Sequence, residues 1–221
     1  MCLIPDPGGY SASVGEVLSS CYQLQHSAWV TSEPLLVGRL SAASVVLHNG
    51  SVLVTGGRTG VSVNDKHQSS DILTATGWSA GIRLPSARYG HCMLQLSSGE
   101  LFLHGGNTDT GDVGDTYISS DMTTWTKKMS SKTRRKYHAC TEREHAGYIC
   151  VGGHGTTEIY SVKTNSWTAT LDLPDSGYQG QFISYNRVLI YAAGGLIIYQ
   201  LNAHEDGWIK VLNLVNIFII P

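Results

Sequence analysis

Apolar residues along this chain fall in short runs and not at helical spacing. Val52-Leu-Val-Thr55, Leu101-Phe-Leu-His104, Tyr148-Ile-Cys-Val151 and Val188-Leu-Ile-Tyr-Ala-Ala193 are rich in β-branched and aromatic residues, and each runs directly into two adjacent glycines. Runs of this length, bounded by turn residues, predict β-strands. A further apolar stretch stands before them, as in Ala43-Ser-Val-Val-Leu47, and a tight hairpin is expected between the two. Asn49-Gly50 predicts a two-residue type I′ turn with positive φ at both positions, and Ser98-Gly99 does a similar job one repeat later. Beyond the glycines come stretches such as Glu158-Ile-Tyr-Ser-Val162, then a turn into a Trp-bearing strand. The expectation is four short strands per unit and no helix.

The unit repeats. Glycine pairs stand at Gly8-Gly9, Gly56-Gly57, Gly105-Gly106, Gly152-Gly153 and Gly194-Gly195, and one tryptophan follows each: Trp29, Trp78, Trp125, Trp167 and Trp208. From each of the first four tryptophans to the next glycine pair is always 27 residues, whereas the distance from glycine pair to tryptophan varies between 13 and 21. One half of the unit therefore has fixed length and the other carries an adjustable loop. A period of 40 to 50 residues with four strands predicts an all-β fold of propeller blades. Paired glycines let two backbones approach or supply positive φ. A Trp on the outer strand suits the wedge between blades.

On these residues the sequence resembles the kelch repeat, in which Arg-x-x-His opens the inner strand, a glycine pair closes the second, and Tyr precedes Trp in the outer half. Arg88-Tyr-Gly-His91 and Arg135-Lys-Tyr-His138 match the opening, each ten residues after a Trp, and Tyr160-Ser-Val-Lys-Thr-Asn-Ser-Trp167 matches the outer half. Arg39 keeps the phase but Ala42 replaces the His, and Gly177 and Gly180 replace both residues in the last unit. The resemblance implies a kelch-type β-propeller of about four complete four-stranded blades plus an outer half-blade. Residues 1–31 hold the half-blade, and 32–84, 85–129, 130–172 and 173–213 the complete ones. Residues 214–221 form an apolar tail, all within one domain. Kelch propellers commonly have six blades. The count leaves two readings open: a fragment of a six-bladed ring, or five blades closed by Val215–Ile220.

Composition narrows the function. The 25 glycines fit many turns, and 42% hydrophobic with 14% charged residues provides a core without the signature of disorder. A net charge of −2 gives no general pull toward nucleic acid or anionic lipid. No run approaches the roughly 20 apolar residues of a spanning helix, and Met1-Cys-Leu-Ile-Pro-Asp-Pro7 does not read as a signal peptide. Neither a nucleic acid nor a membrane partner is expected, and the compartment, cytoplasmic or extracellular, stays open.

Candidate chemistry is sparse. The cysteines at 2, 21, 92, 140 and 150 form no CxxC pair, so no structural zinc is expected. Cys140 and Cys150 lie on the two inner strands of one blade and are a candidate disulfide, although alignment with the previous repeat puts them one step out of direct opposition. His91 and His138 share a repeat position and read as structural. His104 and His154, beside glycine pairs, are placed near the channel mouth. No HxH or HExxH metal spacing, nucleophile elbow or phosphate-cradling loop occurs. Ser119-Ser-Asp-Met-Thr-Thr-Trp125 looks like a shortened sialidase Asp-box, which is a structural turn. No catalytic residue and no cofactor are expected.

Lys127, Lys128, Lys132, Arg134, Arg135 and Lys136 place six basic residues within ten, on a link between blades. The expectation is a non-catalytic scaffold that binds another protein through face loops: Arg58–Ser69, Asn107–Asp115 and the basic segment, with Lys132, Arg134 and Lys136 meeting an acidic partner. The alternatives are an extracellular adhesion or receptor module, or a catalytic propeller of galactose-oxidase or sialidase type.

Overall fold

A computed structural model describes residues 9–13, 15–62, 64–143, 147–153, 155–174, 180–185, 188–192, 197–201 and 207–213. Of the sequence landmarks, Gly8, His154, Gly177, Gly194, Gly195 and the tail 214–221 lie outside the described residues.

The described residues are all-β, without helix, and consistent with a β-propeller-like class. Four sheets are four-stranded antiparallel meanders. Sheet II is built from Ala43–Val46, Val52–Thr55, Ser70–Thr74 and Gly77–Ala80, and sheet III from Cys92–Gln95, Leu101–His104, Thr116–Ser119 and Thr126–Lys128. Sheet IV comprises Ala139–Arg143, Tyr148–Gly153, Thr156–Ser161 and Ser166–Ala169, and sheet V Gln181–Tyr185, Val188–Ala192, Ile197–Leu201 and Trp208–Asn213. Before them Cys21–Gln25 and Ala28–Ser32 pair as a two-stranded sheet I. The first strands of II and III, of III and IV, and of IV and V lie side by side.

Every residue of the second strands Val52–Thr55 and Leu101–His104 is buried. A strand covered on both faces has no reason to alternate, which is why these segments read as continuous apolar runs. The core lies between sheets. Leu47, Leu53, Met93, Leu101 and Leu103 fill the II–III interface, Phe102, Ile149, Val151 and Tyr160 that of III–IV, and Cys150, Phe182, Leu189 and Tyr191 that of IV–V.

Four of the tryptophans, Trp78, Trp125, Trp167 and Trp208, pack into wedges of this kind. Trp78, Trp125 and Trp167 each pack against an interface cluster. Their indole Nε1 groups donate to the carbonyls of Glu33 (3.0 Å), Arg83 (3.0 Å) and Met129 (2.7 Å). Each acceptor lies on the segment leading from the preceding sheet, so the same bond recurs from unit to unit. Trp29, on sheet I, is half exposed. Trp208 packs on Phe182 and Tyr191, but its buried Nε1 has no hydrogen-bond partner among the described residues.

The hairpins differ from the expected two-residue turns. Leu47 N–H bonds to Ser51 O and Leu96 N–H to Glu100 O, each at 2.8 Å, leaving three-residue loops. Only the final glycine of each loop, Gly50 (φ 85°) or Gly99 (φ 94°), is left-handed. Asn49 Oδ1 accepts the Ser51 N–H at 3.0 Å, which favours a type I turn followed by one left-handed glycine over a type I′ turn.

Candidate functional site

The repeat arginines are structural. Arg39, Arg88 and Arg135 are at most 1% exposed. Arg39 and Arg88 donate to the carbonyls of Gly56 and Gly105, each at 2.8 Å. Arg39 is also paired with Asp71 (2.7 Å) and Arg135 with Glu158. Burial alone would raise the Glu158 carboxyl pKa. The Arg135 bond and charge, with the N–H groups of Lys132 and Thr133, hold it below its ordinary value. A buried guanidinium needs such a shell of acceptors.

The glycine pairs serve the neighbouring unit. Gly9, Gly57 and Gly106 donate to the carbonyls of Arg39, Arg88 and Arg135, each at 2.8 Å. A Cβ on Gly56 would stand 2.6 Å from Arg88 O, and one on Gly105 2.6 Å from His138 Cε1. Both glycines are left-handed, at φ 59° and 65°. The glycine pair is thus where the next Arg-x-x-His segment presses against the preceding sheet. Sheet IV departs from this pattern. Its first two strands pair one step out of phase with those of sheet III: Cys140 faces Val151, where the aligned position would be Ala139. Gly152 then lies within the strand, covered by the Phe182 ring, and Arg135 reaches Gly153 O instead.

His91 and His138 also bridge sheets. His91 Nε2 lies 2.8 Å from Thr55 Oγ1, and His138 Nε2 lies 2.9 Å from His104 Nδ1. Thr55 and His104 both immediately precede a glycine pair. Ser131 Oγ donates to Thr133 O (2.7 Å) and so accepts from His104 Nε2 (3.0 Å), which leaves His104 Nδ1 to accept from His138. Burial, followed by neighbouring positive groups, holds His91 and His104 well below the ordinary histidine pKa. Both are neutral structural hydrogen-bonding groups.

What remains accessible is the mouth where the first strands begin. Ser41 (φ 58°), Gly90 (φ 61°) and Tyr137 (φ 51°) are each two residues beyond a repeat arginine, and all three are left-handed. Gly90 N–H bonds to Ser41 O (2.9 Å) and Tyr137 N–H to Gly90 O (2.7 Å), a backbone chain running across three sheets. With His91, His138 and Gln181 these residues line a cavity of about 450 Å³, and Ser41 Oγ lies 3.5 Å from Tyr137 Oη across it. Holding Ser and Tyr left-handed costs about 1 kcal/mol each, and such strain is a pointer to function.

The two variable loops surround the same end. Arg58 exchanges backbone bonds with Leu40, and Asn107 with Tyr89. Lys66 pairs with Asp109 (3.2 Å), and the Arg58 guanidinium lies 4.5 Å above the Tyr89 ring. The basic segment divides by role. Arg135 is buried, Lys136 pairs with Asp112 (3.2 Å), and Lys127 pairs with Asp115 (3.1 Å). Lys132 and Arg134 are exposed.

The expected Cys140–Cys150 bridge is not formed. Register places Thr141 opposite Cys150, so the two cysteines sit on opposite faces of sheet IV. Cys150 is a buried free thiol whose pKa burial pushes up to about 12. Cys140 is instead bonded to Cys92 of sheet III, with Cα atoms 6.2 Å apart, an ordinary span for a disulfide. The signal was in the sequence: their separation of 48 residues is within one residue of the local repeat. The left-handed position had no such signal, because Ser, Gly and Tyr share no side-chain property. Among the described residues no group of three or more His, Cys, Asp or Glu is gathered to hold a metal.

Compared with protein-family models the chain finds no match, and no curated protein matches it in sequence.

Proposed function

We propose that this chain is a kelch-type β-propeller, whole or partial, serving as a non-catalytic scaffold that binds another protein at the mouth-side face. The convergence of Ser41, Gly90 and Tyr137 with the loops 58–69 and 107–115 carries the reading. The repeat histidines and arginines are spent on bonds between and within sheets, which favours a scaffold over catalysis.

Lys132 and Arg134, exposed in the segment that leads to Tyr137, enter no ion pair among the described residues and suit an acidic segment of the partner. Replacing both by Glu should weaken binding of a fluorescent Glu-rich peptide by about tenfold, the equivalent of about 1.4 kcal/mol, and reduce its salt dependence. Salt-independent binding that ignores the substitutions would retire the acidic partner. Lys136→Met is a separate variant, since it also breaks the Asp112 pair.

A second reading, an extracellular adhesion or receptor module, is favoured by the Cys92–Cys140 bond, because disulfides persist in oxidising compartments. Thiol titration of the denatured, non-reduced protein separates the two. Three free thiols among the five cysteines fit the secreted module, and five fit a reducing compartment.

A further inference from the structure

Ala43, Cys92 and Cys140 hold one register position in three successive sheets: each faces the residue immediately before a glycine pair, Thr55, His104 and Val151 respectively. Neighbouring first strands bring this position together from sheet to sheet. The II–III and III–IV interfaces otherwise carry the same bonds at the mouth. Gly57 N–H to Arg88 O and Gly90 N–H to Ser41 O in the first correspond to Gly106 N–H to Arg135 O and Tyr137 N–H to Gly90 O in the second. The III–IV interface alone of these two adds a covalent link. That link begins one residue after His91 and two after His138, both of which line the mouth.

We propose that Cys92–Cys140 is a reversible thiol–disulfide latch that sets the rigidity of the mouth between sheets III and IV. Its role as a regulator rests on the reading of the mouth as a binding face. Cys140 is half-buried and Cys92 buried, so an incoming thiol attacks the Cys140 sulfur. The S–S bond breaks, and Cys92 leaves as a thiolate that takes up a proton. A second small thiol then displaces the first from Cys140, releasing a low-molecular-weight disulfide and leaving two protein thiols. Two electrons pass from the thiol pair to the cystine, and the reverse sequence with glutathione disulfide closes the latch. Cys150 takes no part. It lies on the other face of sheet IV, packed toward sheet V, and burial keeps it protonated. Opening the latch leaves the Tyr137–Gly90 bond and the left-handed Tyr137 held by non-covalent contacts alone, as at the II–III interface.

The test equilibrates the full chain in glutathione buffers from fully reduced to fully oxidised. Linked Cys92–Cys140 peptides are quantified by mass spectrometry after acid quenching, and amide hydrogen exchange is followed in the same samples. The linked peptide is expected to appear and disappear across the cellular glutathione range. The Tyr137 amide should exchange about tenfold faster when reduced. The Gly90 amide, bonded across the unbridged interface, should change little and serves as the internal control. Cys92→Ser and Cys140→Ser should both reproduce the reduced behaviour, and Cys150→Ser should not. Reduction of the native sequence gives the answer without any variant. Absence of the linked peptide at every ratio, its persistence in excess reduced glutathione, or identical Tyr137 exchange in both forms would each overturn the latch. None of these outcomes involves a partner, so the proposed binding face would stand or fall separately.

Discussion

At the scale of the residue, glycine and histidine positions carry the tightest constraints. Gly105 is left-handed, and a Cβ there meets His138 Cε1 at 2.6 Å and Arg135 O at 2.8 Å. Gly99 is also left-handed, but nothing lies within 4 Å of its Cβ position. Gly99→Ala should therefore cost about 1–2 kcal/mol for the backbone alone, and Gly105→Ala about 1–3 kcal/mol more for overpacking. Urea denaturation of the two variants measures the difference, and equal losses would mean the sheets yield at this contact. The histidines give the fold an acid limit. His91 and His104 have pKa values well below 6.5 in the folded protein, chiefly through burial, so below pH 6.5 the unfolded chain binds more protons. Stability is then full above pH 6.5 and lost as pH falls, by about 1.4 kcal/mol per pH unit for each histidine. Denaturation midpoints at pH 7.5 and pH 5.5 should differ in that direction.

At the scale of the element, sheets III and IV are each tied to their predecessor by the same few bonds: glycine N–H to arginine carbonyl, histidine to the residue before a glycine pair, and indole N–H to the preceding connection; sheet II shares the first and last of these. Hairpin tips add another. His48 N–H bonds to Gln95 Oε1 and Ser97 N–H to Glu142 Oε2, each at 2.6 Å. The bonds predict a graded tryptophan series. Trp167→Phe keeps a ring in the wedge but loses the indole bond to the carbonyl of the exposed Met129, at a cost of about 0.5–1.5 kcal/mol. Trp29→Phe, at a half-exposed site, should fall within about 0.5 kcal/mol of the native chain. Equal effects would remove the wedge role.

At the scale of the whole molecule, packing runs from neighbour to neighbour, so stability accumulates interface by interface, as in repeat proteins. The Cys92–Cys140 bond closes a chain separation of 48 residues, which in the chain-entropy model is equivalent to about 4 kcal/mol. Reductant should lower the thermal midpoint of the native chain and leave that of Cys92→Ser unchanged. A midpoint insensitive to reductant would show that the bond contributes nothing to the fold.

The sequence by itself determined the strands, their grouping in fours and the places of the tryptophans, because these follow from local patterns that recur at a nearly constant period. Three tryptophans that stand 27 residues before a glycine pair, Trp78, Trp125 and Trp167, make the same indole-to-carbonyl bond. Tertiary structure decided what depends on pairing across units. It set the one-residue slip of sheet IV, the choice of Cys92 over Cys150 as partner of Cys140, and the left-handed conformation shared by Ser41, Gly90 and Tyr137. Alternation along a strand means that a single step of register moves a side chain to the other face. That step is fixed by the neighbouring sheet, and a linear pattern does not contain it.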